Sequence, residues 1–201
     1  VYVLPNLLTS GCLFMGFYSI AATFNGSFEK AAMAIVGAAI FDGLDGRVAR
    51  MTGTTTRFGV EYDSLADVIA FGAAPAFLVY GWALSGFGRW GWMASFLYLI
   101  CGALRLARFN TNIGVVDKRY FQGLPSPAAA ALVVGLVWIV TDLRETRWIT
   151  TSAQDMAWPA WAITLFAGAG YTGVSVRDAA AQVGIRADGR GDLKLDGNDF
   201  S

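Results

Sequence analysis

The sequence predicts an all-α protein: a polytopic membrane bundle of about six transmembrane helices with a polar C-terminal tail. Three observations carry that expectation. Of 201 residues, 55% are hydrophobic and only 15% charged, a balance far to the apolar side of a soluble globular domain. The apolar residues fall in repeated stretches of about 20, the length at which a helix crosses ~30 Å of hydrocarbon. After about Val174 the run SVRDAAAQVGIRADGRGDLKLDGNDFS turns polar and rich in Gly and Asp, with no apolar stretch long enough to span. Residues 1–173 therefore read as one membrane domain and 174–201 as a flexible tail.

The first helix, about 5–25, opens on Pro5, Asn6 and Thr9, which suit a helix start, and closes at the polar turn Asn25-Gly26-Ser27. The second, about 29–51, and the third, about 60–83, flank a short polar connection. The fourth, about 90–110, ends in Arg105, Arg108 and Asn110. Gly123-Leu124-Pro125-Ser126-Pro127 starts the fifth, about 125–142, with prolines where a first helical turn tolerates them. The sixth covers about 157–173. Eleven of the fifteen Lys and Arg residues fall on one side of this arrangement. The positive-inside rule places that side, with both termini, the 52–59 connection and the 111–124 loop, in the cytoplasm. Trp82, Trp90, Trp92, Trp148, Trp158 and Trp161 gather at the opposite ends, as an aromatic belt would.

Composition also excludes. A net charge of zero gives no footprint for nucleic acid. Histidine is absent, which removes the commonest general base and transition-metal ligand and leaves carboxylates and hard cations as the available chemistry. Cys12 and Cys101 lie inside apolar segments, where a thiol is usually a small core residue. The opening VYVLPNLLT has neither the basic region nor the cleavage site of a secretory signal.

Chemistry concentrates between Phe41 and Asp67, in FDGLDGRVARMTGTTTRFGVEYDSLAD. Asp42 and Asp45 lie three apart near the end of the second helix, and Asp63 and Asp67 four apart at the start of the third, so each pair shares a helix face. Two carboxylate pairs then face each other at membrane depth, where unpaired charge is expensive. A divalent cation between them resolves the repulsion. Gly46, Arg50, Thr56 and Gly59 lie between the pairs: glycines admit close backbone approach, hydroxyls donate to phosphate oxygens, and a guanidinium grips phosphate in a fork. With a metal this is a diphosphate site. The competing readings are a single helix-packing aspartate or a proton or cation path in a transporter. A path would need further acids or broken helices across the bundle, and the sequence offers none.

At these residues the chain resembles the CDP-alcohol phosphatidyltransferases. Their signature D-x-x-D-G-x-x-A-R, eight residues, G-x-x-x-D-x-x-x-D is filled by Asp42, Asp45, Gly46, Ala49, Arg50, Gly59, Asp63 and Asp67. The flanking runs Pro5 to Thr9, Asp63 to Ala76, Ala107 to Asn110 and Gly123 to Pro127 look most like the bacterial-type phosphatidylserine synthases of that family. The resemblance implies a homodimeric six-helix enzyme of a bacterial inner membrane that moves a phosphatidyl group from CDP-diacylglycerol to L-serine, releasing CMP. Glycerol 3-phosphate or an inositol phosphate would be the alternative acceptor. It implies Mg2+ or Mn2+ held by Asp42, Asp45 and Asp63, with Asp67 as general base and potential fourth ligand. Gly46, Arg50 and Thr56, with Gly59, Asn6 and Thr9, would meet the CDP part of the donor; without the resemblance, Asn6 and Thr9 read rather as residues that cap and pack the first helix. Arg105, Arg108 and Asn110 would hold the acceptor or a lipid phosphate, against the alternative that the arginines are interfacial anchors. Members of the subgroup usually continue into further hydrophobic helices, whereas this chain ends in the polar tail.

Overall fold

Small residues decide how the helices of this chain meet. A computed structural model describes residues 3–52, 56–111, 125–145, 157–172, 185–187 and 193–195. Helix α1 (Val3–Phe24) packs most extensively along α2 (Phe28–Thr52). Small side chains are buried on both: Cys12, Ser19, Ala22 and Thr23 of α1, and Ala31 and Ala38 beside Ile35 of α2. Without a hydrophobic drive between helices in lipid, such faces associate through close packing and interhelical hydrogen bonds. The Ser19 hydroxyl supplies one, donating to the Ala31 carbonyl at 2.9 Å.

The turn between α1 and α2 is fixed by backbone chemistry. Gly26 takes φ +70°, a conformation that costs glycine little. Its N–H reaches the Thr23 carbonyl while Ser27 N–H reaches Ala22, both at 2.9 Å, so the last carbonyls of α1 are satisfied and the chain reverses at once.

The third membrane segment departs from the single helix expected over 60–83. It starts earlier, as α3 (Arg57–Asp67), passes through a π-helical turn (Val68–Ala73) and continues as α4 (Ala74–Trp82). In the wide turn Ala74 N–H bonds to the Ile69 carbonyl, five residues back. Pro75 explains why the turn sits here: it has no N–H to offer the Phe71 carbonyl four residues before it. The Tyr98 hydroxyl donates to that carbonyl instead, at 2.9 Å.

A short 3-10 turn (Leu84–Phe87) leads into α5 (Arg89–Thr111), followed by α6 (Ser126–Glu145) and α7 (Ala157–Thr172). These match the remaining expected helices to within a few residues. The described parts of the tail carry two short antiparallel strands, β1 (Ile185–Ala187) and β2 (Leu193–Leu195), with Ile185 opposite Leu195. The tail composition did not announce them.

Three of the helical stretches, Asn6–Phe24, Phe58–Trp82 and Arg89–Arg108, are long and apolar enough to cross a membrane, and Ser126–Asp142 is a shorter apolar helix. Large apolar side chains such as Leu7, Phe14, Phe17, Ile139 and Phe166 point outward, the inverse of a soluble surface. This is an integral membrane protein. Trp90, Trp92 and Trp158 are exposed as a belt requires, but Trp82 is 5% exposed and belongs to the core; Trp148 lies outside the described residues.

Gly16 of α1 sets the distance between that helix and the π turn. A Cβ there would come within 2.8 Å of the Ala70 Cα, a backbone atom that cannot swing aside. Gly16→Val is therefore expected to destabilise the detergent-solubilised protein by about 1–3 kcal/mol, read as a lower thermal midpoint. An unchanged midpoint would mean that the two helices do not meet so closely.

Candidate active site

The four aspartates converge, but not as two equal pairs. One carboxylate oxygen from each of Asp42, Asp63 and Asp67 lies within 4.8 Å of the others. Asp42 comes from α2, and Asp63 and Asp67 from successive turns of one face of α3. Two unit charges at that separation repel by roughly 3 kcal/mol at an effective dielectric near 20. Oδ1 of Asp67 is buried and has no hydrogen-bond partner in the structure. An orphaned, buried carboxylate oxygen within an acidic trio is what a hard cation accepts, so the residues fit a divalent metal.

Asp45 stands beside this group, close enough to couple electrostatically with Asp42, Asp63 and Asp67, yet outside the trio. It is 4% exposed. Its Oδ2 accepts a hydrogen bond from the Thr9 hydroxyl at 2.8 Å, and the Gly46 backbone N–H also bonds to the carboxylate. Thr9 is itself 4% exposed and so acts in this structure as the partner of Asp45.

The start of α3 explains three further motif residues. Thr56 caps the helix from an extended backbone, its hydroxyl accepting from Gly59 N–H at 3.0 Å. A Cβ at position 59 would crowd that hydroxyl at 3.1 Å and lie in ordinary contact with Asn6 Oδ1 at 3.6 Å. Asn6, Thr56 and Gly59 thus form one polar corner between α1 and α3. The Thr56 hydroxyl, accepting there, keeps one proton to donate. On α2, exposed Arg50 folds back so that Nε donates to the Gly46 carbonyl at 2.9 Å. A Cβ at Gly46 would meet nothing nearer than Arg50 Nη2 at 3.9 Å, so the helix surface there is open.

The opposite wall comes from α5 and α6. Arg105 interacts electrostatically with Asp67 and donates through Nη1 to the buried Ser126 hydroxyl at 3.2 Å. The cation is thereby tied both to the aspartates and to the first turn of α6. Asn110 does not share this wall: its Nδ2 donates to Ser64 Oγ at 3.0 Å and to Glu61 at 3.4 Å, on α3. Arg108 is exposed. Of the three residues expected to hold the acceptor, Arg105 couples to the acidic trio through Asp67. Sequence reasoning passed over Ser126 as a partner, and it passed over Tyr98, whose contact lies one turn beyond Asp67. Pro75, four residues after Phe71, was the available signal for the latter.

Residues 2–172 match the family model described as CDP-alcohol phosphatidyltransferase. The chain belongs to this family. Enzymes of the family are in general divalent-metal dependent, and the acidic trio is compatible with that requirement. Among curated proteins the chain is similar to a CDP-diacylglycerol–serine O-phosphatidyltransferase of Helicobacter pylori, 50% identical over 67% of this chain and 56% of that protein. It is also similar to one of Mycobacterium leprae, 40% identical over 74% of this chain and 51% of that protein. An archaetidylserine synthase of Methanothermobacter thermautotrophicus is 42% identical over 65% of this chain and 55% of its own length. The chain spans little more than half the length of these relatives.

Proposed function

We propose that this chain transfers a phosphatidyl group from CDP-diacylglycerol to L-serine, giving phosphatidylserine and CMP. The observation that carries the reading is the trio of Asp42, Asp63 and Asp67, one of whose members, Asp67, keeps a buried oxygen without a hydrogen-bond partner, set in the complete motif of the family. Serine as acceptor is supported by the relatives: their names differ in the lipid, diacylglycerol against archaetidyl, and share serine.

In this reading Asp42, Asp63 and Asp67 hold a divalent cation, Mg2+ or Mn2+, with Asp45 steadied beside them by Thr9. Bound there, the cation supplies charge neutralisation for the donor diphosphate and for the leaving CMP. Gly46, Arg50 and the corner of Asn6, Thr56 and Gly59 cradle the CDP part, the guanidinium and the hydroxyl donating to it. Arg105, anchored by Ser126, attracts the serine carboxylate; exposed Arg108 draws anionic headgroups. Asp67 accepts the serine hydroxyl proton as that oxygen bonds to the lipid-side phosphorus and the bond from phosphorus to the CMP oxygen breaks. The transfer is read as a single direct displacement by the serine hydroxyl, without a covalent intermediate on the enzyme. The site faces the cytoplasm of a bacterial inner membrane, and the enzyme works as a homodimer among membrane lipids.

Purified protein given CDP-diacylglycerol, Mg2+ or Mn2+ and radiolabelled serine is expected to release CMP and to label phosphatidylserine. Label from glycerol 3-phosphate or an inositol phosphate in place of serine would refute the acceptor and keep the chemistry. Absence of metal-dependent CMP release with all three would refute the transferase reading and return the aspartates to a transport role.

A further inference from the structure

The π turn follows Asp67 without a break, and a residue remote in sequence fastens it. Val68–Ala73 is wound with a bond from Ala74 N–H to the Ile69 carbonyl, while Pro75 gives no N–H to the Phe71 carbonyl. Tyr98 of α5 donates its hydroxyl to that carbonyl at 2.9 Å. The ring is 0% exposed and is the largest fully buried side chain among the described residues. A buried phenol on a carbonyl is bound in direction as well as in energy. On its far side the Tyr98 backbone packs against α7: a Cβ on Gly168 would lie 3.3 Å from the Tyr98 Cα. Tyr98 is thus wedged from behind and aimed at the turn.

The consequence falls on the acidic trio. Asp63 and Asp67 share a face of α3, and the wide turn inserts an extra residue directly after them, rotating α4 relative to α3. This lets α4 bury Ala74, Pro75, Leu78, Val79 and Trp82 while α3 still presents both aspartates to Asp42. Phe71 is one turn beyond Asp67, so the carbonyl that Tyr98 holds belongs to the backbone that aims the Asp67 carboxylate. We infer that Tyr98 is a positioning residue, acting through the Phe71 carbonyl to hold Asp67 in register with Asp42 and Asp63, and so setting the affinity of the site for its divalent cation.

The inference rests on the proposed metal chemistry but not on the acceptor, and Mn2+ binding by electron paramagnetic resonance tests it without turnover. Tyr98→Phe keeps the ring and its packing and removes only the donor. The dissociation constant for Mn2+ is expected to rise about five- to tenfold, the size of one buried hydrogen bond, with kcat lowered and the KM for serine unchanged. Pro75→Ala approaches from the other side, restoring an N–H that can close an ordinary helical turn on Phe71 and draw Asp67 away from the trio; weaker Mn2+ binding is expected again. If Tyr98→Phe lowers the thermal midpoint alone and leaves Mn2+ affinity and kcat at the parent values, Tyr98 is a packing residue and the inference is overturned. Should Tyr98→Phe yield no folded protein, Pro75→Ala decides: unchanged Mn2+ affinity overturns the inference. A parent that binds Mn2+ yet makes no phosphatidylserine would refute the proposed reaction and leave the Mn2+ comparison intact.

Discussion

Asp67→Asn is expected to remove turnover while the protein still folds, still takes Mn2+ weakly and still binds CDP-diacylglycerol within a few-fold of the parent. Loss of a positioned general base costs about 10²–10⁴ in rate, and an amide, although it can offer an oxygen to a cation, cannot accept the hydroxyl proton. Two roles meet in this one side chain, because Asp67 is both a member of the trio and the bearer of its unpaired buried oxygen. Raising the metal concentration separates them. A variant deficient only in metal affinity regains turnover when the site is saturated; one that lacks the base does not. CMP release by Asp67→Asn that returns to the parent rate in excess Mg2+ would reassign Asp67 to the metal alone and move the base elsewhere.

Much of this was legible because membrane physics writes plainly in sequence. Apolar stretches gave all six helices, and the only segments interrupted by paired aspartates were the ones that build the site. The identity of the trio was not legible. Spacing treats Asp42 and Asp45 alike, three apart on one helix; only the approach of α1 distinguishes them, since the Thr9 hydroxyl captures Asp45 and leaves Asp42 to face α3. The π turn was hidden for a similar reason. VIAFGAAP is apolar throughout, so hydropathy cannot report a change of helical pitch, and only the missing N–H of Pro75 hints at it. Trp82 shows the limit of position as a guide: it stands at a helix end, as belt residues do, but it is buried in the hydrophobic core. Asn110 shows the limit of motif neighbourhood, adjoining the arginines in sequence while bonding to α3 in space.

Chelation of divalent metal is expected to abolish CMP release entirely, with Mg2+ or Mn2+ restoring it, and charge removal within the trio should divide metal affinity from stability in opposite directions. Three carboxylates within 4.8 Å of one another, when ionised without metal, repel by roughly 3 kcal/mol per charged pair at an effective dielectric near 20. Arg105, coupled to Asp67, offsets only part of that. Asp63→Asn deletes one charge and two repulsive pairs. The metal-free variant should therefore melt higher than the metal-free parent, since a site that waits for a cation is kept at a cost to the fold. The same deletion takes away one anionic ligand, so the Mn2+ dissociation constant should rise at least tenfold, about 1.4 kcal/mol, and the metal-induced gain in thermal midpoint should shrink. Asp42→Asn is expected to behave likewise, its ligand role being equivalent. Asp45→Asn should differ, because Asp45 is held by Thr9 outside the trio: a smaller loss of Mn2+ affinity is expected, together with destabilisation from the disturbed buried hydrogen bond. Equal losses of affinity in all three variants would return Asp45 to the metal. A metal-free Asp63→Asn protein that melts below the parent would show that the trio is not repulsive, and would remove the electrostatic reason for placing a cation there.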